Sequence, residues 1–142
     1  MELIRLSDTG RSVSVRLHSS EPVLENRGVR YYSAEAIVSS DFVNGTVYLG
    51  FDSTDLDDWG LFLDAVEQMD EEDQDGDEPF TADWPGDGRT AYLRFVADDP
   101  YVVEVHDGPG TGIVVAVPVD MDEDWIAEAR ARLAAVRSVL GE

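Results

Sequence analysis

Seven of the ten residues from Asp70 to Pro79 are carboxylates, and that density of oxygen ligands is the first place to look for cation chemistry. A helix-flanked calcium loop wants oxygens at its first, third and fifth positions, Gly at the sixth and a bidentate Glu at the twelfth. Counting from Glu71 puts Asp73, Asp75 and Gly76 in register, but the twelfth position falls on Ala82 and Pro79 occupies the ninth. The spacing therefore predicts a solvated acidic loop, with diffuse cation attraction rather than a calcium site. The run Gly108-Pro109-Gly110-Thr111-Gly112 has the glycine content of a phosphate cradle. Such cradles open a helix and recruit a cation, whereas this one precedes the strand-like Ile113–Val119 and follows Asp107, so it reads as a hairpin turn.

Nucleophilic and acid–base chemistry find little support. The histidines are His18 and His106, too few for a three-histidine zinc site. His106 and Asp107 are neighbours in a strand pattern and so point to opposite faces, which is wrong for a base and its orienting acid. No G-x-S-x-G or H-E-x-x-H motif occurs. With 31 acids, paired carboxylates meet any spacing by chance and carry no information. No catalytic, metal-ligating or cofactor-binding residue is expected. Among the aromatic residues, Trp59 falls on an apolar helical stripe and reads as core, as does Trp125. Trp84, beside Pro85 in an acidic context, reads as partly exposed and able to meet a partner's Arg or Lys.

The elements that position these residues follow from periodicity. Leu3–Leu6 and Val13–Leu17 alternate around the turn Asp8-Thr9-Gly10, giving a hairpin. Residues 19–29 read as a loop, 31–39 as a strand, 41–45 as a turn and 46–51 as a strand. At Asp52 the period changes: Asp52, Ser53 and Thr54 offer N-caps, and Leu56, Trp59, Leu63 and Val66 recur at helical spacing, predicting a helix over about 54–69. Gly60 weakens it by about 1 kcal/mol. Strands follow at 80–84, 90–97, 101–106 and 113–119. Pro118 argues that the last of them is an edge. Asp120 or Asp122 caps a final helix to about residue 140, ended by Gly141. Short connections favour antiparallel pairing. The expectation is a single α+β domain over 1–142: mainly antiparallel sheet of about seven or eight strands, two helices (about 54–69 and 122–140) and an acidic loop at about 70–79.

Composition bounds the class of function. The 142 residues are a usual single-domain length, 43% are hydrophobic, and no run approaches the ~20 apolar residues that span a bilayer. The start lacks the basic and apolar regions of a secretory signal, so a cytoplasmic location is the default expectation. Cysteine is absent. The formal charge is −21, and every cation is Arg. Residues 1–50 carry six acids against five arginines, residues 51–107 nineteen against two, and residues 108–142 six against three. GC-rich coding or salt adaptation produces acidity, but adaptation should spread it evenly. A field concentrated in the middle repels nucleic acid and anionic membrane and steers a basic partner.

Several residues carry a resemblance: the opening Met1–Asp8, the turn Phe42-Val43-Asn44-Gly45, Leu56 and Trp59 leading into Leu63, the isolated Trp84, Asp107 with Gly110-Thr111-Gly112, and Trp125. Together they resemble an uncharacterised family of small acidic actinobacterial proteins over almost the whole chain. The acidic stretch at 70–79 departs from that pattern. More distantly the layout is similar to acidic immunity proteins that neutralise bacterial toxins. The family has no established active-site residues, so the resemblance implies none here.

The expectation drawn from charge and resemblance is a non-catalytic immunity or antitoxin-type protein that occludes a basic partner surface. It binds neither nucleic acid nor membrane directly. The expected contact residues are Asp57, Asp58, Asp70, Glu71, Glu72, Asp73, Asp75, Asp77, Glu78, Asp83 and Trp84. Three alternatives stand beside it: a nucleic-acid mimic that inhibits a DNA-binding protein, an enzyme or ligand carrier with a pocket beneath the sheet, and a GC-biased or halo-adapted domain of unrelated role.

Overall fold

A computed structural model of the chain describes residues 1–71, 80–86, 90–108 and 110–142. Among them are nine strands and two helices. β1 (Glu2–Ser7), β2 (Ser12–Leu17), β3 (Leu24–Asn26), β4 (Val29–Ser39) and β5 (Asn44–Asp52) make one antiparallel sheet. α1 (Ser53–Glu71) follows, then β6 (Phe80–Trp84), β7 (Tyr92–Ala97), β8 (Tyr101–His106) and β9 (Val114–Val119) pair in sequence order as a second antiparallel sheet. α2 (Trp125–Leu140) closes the chain. The α+β class holds, with the strands divided between two sheets rather than gathered in one.

β4 is the spine of the first sheet. β2 and the short β3 pair with successive stretches of one edge, and β5 runs along the other from Tyr31↔Asp52 to Ser39↔Asn44. Its burial alternates: Tyr32, Ala34, Ala36 and Val38 face the core. β3 lies within the expected 19–29 loop; its three residues are all exposed and carry no alternating apolar signal. Inward residues of both sheets and one side of each helix form one continuous buried cluster.

Side chains fix the turns. The Asp8 carboxylate accepts from the Gly10 and Arg11 N–H groups, 2.9 and 3.0 Å, and from the Asp120 N–H at 3.1 Å, tying the β1–β2 turn to the approach of α2. These donors, the Gly10 amide foremost, hold its pKa down to about 2. α1 opens on a reciprocal cap: Asp55 N–H donates to Asp52 Oδ1 at 3.0 Å, and Asp52 N–H donates to Asp55 Oδ2 at 2.9 Å. α2 begins at Trp125, about a turn later than expected, because Asp122 caps the preceding turn through the Asp124 N–H instead. Gly141 ends α2 at φ 72°, a left-handed backbone that favours glycine. Arg30 then clamps the terminus, donating to the carbonyls of Leu140 and Gly141 and pairing with Glu142 at 2.9 Å.

Candidate partner-binding cleft

On α1 the residues Leu56, Trp59, Leu63 and Val66 turn inward, which leaves Asp58 and Leu61 on the outer side. On β6 the alternation directs Phe80, Ala82 and Trp84 toward α1 and Thr81 and Asp83 outward. Between the two elements lies a cleft of about 310 Å³. Aromatic rings line it: Trp59 and Phe62 stack at 5.2 Å, Phe62 meets Phe95 at 4.8 Å and Phe80 at 6.1 Å, and Trp59 meets Trp84 edge-on at 6.3 Å. Leu61, 65% exposed, stands in its helix-side wall, and Asp58 and Asp83 contribute the carboxylates. The Trp59 indole N–H is buried without an acceptor among the described residues.

The cleft brings together Asp58, Asp83 and Trp84 from the expected contact surface. Trp84 corrects the expectation of partial exposure. It is 5% exposed, its indole N–H donates to the Asp55 carbonyl at 2.7 Å, and its ring packs on Phe51 and Trp59. The reason is strand register: opposite Leu93, Trp84 falls on the inward face of its sheet. Asp57 is drawn to Arg137 at 2.6 Å, and Asp83 is held by Arg94 through both oxygens, at 2.8 and 3.2 Å. Asp70 and Glu71 lie at the end of α1, while Glu72, Asp73, Asp75, Asp77 and Glu78, most of the expected acidic loop, fall outside the described residues. Of the expected contact residues whose side chains are described, Asp58 has neither a hydrogen bond nor an ion pair among the described residues.

Ion pairing consumes much of the positive charge. Arg5 pairs with Glu2, Arg11 with Asp8, Arg30 with Glu142 and Arg94 with Asp83. Arg130 of α2 meets Asp64 at 2.7 Å and also Glu67, while Arg137 meets Asp57. These contacts step about two helical turns along α1 and α2 in opposite senses, so the helices lie antiparallel with a charged seam on their outer edge. The hydrogen bond that Arg130 donates to Asp64 raises the Arg130 pKa, and those that Arg94 donates to Asp83 raise the Arg94 pKa.

A protein-family model matches residues 1–141. The chain belongs to DUF5959, a family of unknown function. No curated protein and no solved structure matches it.

The remaining chemistry of this DUF5959 chain lies on its sheet faces. His106 Nε2 sits 2.7 Å from Glu104, two residues back on the same face, and its ring stacks on Tyr92 at 4.6 Å. The sequence ruled Asp107 out as a partner of His106 without naming Glu104, to which the same period-two rule for strands points. Asp107 shapes its hairpin, accepting from both the N–H and the hydroxyl of Thr111. His18 Nδ1 lies 2.9 Å from Ser33 Oγ, and its Nε2 lies 3.5 Å from Glu35. Neither histidine lines the cleft. A wider depression at Ser7–Arg11, Asp120 and Asp122 holds carboxylates, but Asp8 already has its oxygens occupied by N–H donors. Among the described residues of the DUF5959 chain no group of three His, Cys, Asp or Glu could hold a metal ion, and no helix is long and apolar enough to cross a membrane.

Proposed function

We propose that this chain is a non-catalytic binding protein for a basic partner protein, of the immunity or antitoxin kind, acting by covering a cationic surface. The observation that carries the reading is a carboxylate, Asp58, that has no partner among the described residues and stands at an aromatic-lined cleft in a molecule of net charge −21. Six arginines are already tied to carboxylates of the same chain: Arg5, Arg11, Arg30, Arg94, Arg130 and Arg137. The resemblance to small acidic actinobacterial proteins, and more distantly to immunity proteins, agrees with this role, and a cytoplasmic site of action goes with it.

The negative field accelerates encounter with a cationic surface, and desolvated contacts then hold the complex. The test is affinity against salt for the basic proteins encoded beside this gene. Binding that weakens by an order of magnitude or more between 50 and 500 mM NaCl supports the reading, since a Debye length shortens from roughly 14 to 4 Å over that range. Affinity indifferent to salt removes it. A nucleic-acid mimic has less support: it needs a row of free carboxylates, and on α1 Asp57 and Asp64 are neutralised by arginines. A merely halo-adapted domain should instead gain stability steeply into molar salt and bind no basic neighbour.

A further inference from the structure

We infer that the cleft between α1 and β6 seats one arginine side chain, presented on an extended segment of the basic partner; the inference rests on the function proposed above and specifies its anchor. Size is the first argument. About 310 Å³ is at the bottom of the range for small-molecule sites, which suits a single side chain better than a larger ligand or the face of a helix.

Wall chemistry is the second. The half-buried Phe80 and the exposed Leu61 offer apolar surface to the methylene stem and to the face of a guanidinium, over a floor formed by the buried Trp59, Phe62 and Trp84. Lysine presents a compact, strongly hydrated ammonium that loses more on leaving water and cannot stack. An apolar side chain fits the walls but leaves Asp58 unanswered.

Charge is the third. Asp83 is already bridged by Arg94 through both oxygens, whereas Asp58 has no partner among the described residues and so is the carboxylate available for a two-pronged bond to an incoming guanidinium. A second copy of this chain is a poor occupant, because it brings another −21 charges.

The test uses two lysine-rich nonapeptides of equal charge that differ only in an arginine or a lysine at the centre, titrated calorimetrically into the full chain. The arginine peptide should bind about fivefold more tightly. That preference should vanish in Asp58→Asn and return in Asp58→Glu, with thermal melts confirming that both variants fold. Equal, salt-sensitive binding of the two peptides overturns the arginine seat and leaves the basic-partner reading intact. Absence of salt-sensitive binding by either peptide overturns both. Sedimentation showing a dimer that Asp58→Lys disrupts overturns the seat in favour of a second copy.

Discussion

The indole N–H of Trp84 donates a 2.7 Å hydrogen bond to the main-chain carbonyl of Asp55, joining the start of α1 to the end of β6. Trp59, in contact with the same ring, has a buried N–H with no acceptor among the described residues. The two tryptophans should therefore respond differently to the same change. Trp84→Phe loses a bond worth about 1 kcal/mol, whereas Trp59→Phe removes an unsatisfied donor. Urea melts should place Trp84→Phe below Trp59→Phe by about 1–2 kcal/mol. The reverse order would contradict the asymmetry.

Asp8 sets an acid limit. Its folded pKa of about 2 lies below the ordinary 3.8 because backbone N–H groups bind the ionised form. A depressed carboxylate contributes stability that is fully present above the unfolded pKa and is lost as pH falls through the folded value. The wild-type chain should thus lose this contribution between about pH 4 and pH 2. Asp8→Asn should be less stable by about 1–2 kcal/mol at pH 7, and the gap should narrow toward pH 2. A gap that is constant with pH would show that the charge on Asp8 is immaterial.

Gly60 lies in the middle of α1 where that helix meets α2. A methyl group there would lie 3.5 Å from Leu133 Cδ2, ordinary van der Waals contact, so the absence of a side chain is not a steric necessity. Gly60→Ala should raise stability by up to about 1 kcal/mol through helix propensity. The melting temperature should rise by roughly 2–5 °C. A fall would mean that the two helices cannot accommodate even a contact of normal length.

The seam of Asp57–Arg137 and Asp64–Arg130 joins side chains that are 30–66% exposed, so solvent screens it heavily. Double-mutant cycles on either pair should give a coupling of about 0.2–1 kcal/mol at low salt that disappears near 1 M NaCl. A coupling above that range, or one that survives salt, would mark the seam as a structural determinant instead of an orienting contact.

Periodicity made most of the architecture legible. The helical stripe of Leu56, Trp59, Leu63 and Val66, the alternation of β4 and the glycine stop at Gly141 are local signals, and each corresponds to an element in the fold. The division into two sheets was not legible, because nothing in a strand's own residues says which other strands share its sheet. The candidate site was read less well. Asp58 and Asp83 fall beside one cleft, but burial of Trp84 follows from its register opposite Leu93, a pairing made at long range. The run of acids suggested a uniform patch; Asp83 instead meets Arg94 across its β6–β7 pairing and Asp57 meets Arg137, 80 residues on, and charge counts cannot see such partners.

The aromatic packing has a spectroscopic consequence. Trp84 touches Trp59, Trp59 touches Phe95, and Phe95 stacks on Trp125, so every tryptophan belongs to one ring network at the junction of both helices with the second sheet. Tryptophan emission, excited at wavelengths where tyrosine does not absorb, is therefore a reporter of that junction alone. Loosening at the opposite end, where Phe42 is 93% and Ile113 61% exposed, would pass without a tryptophan signal, and a fluorophore attached near the β4–β5 turn would report it directly.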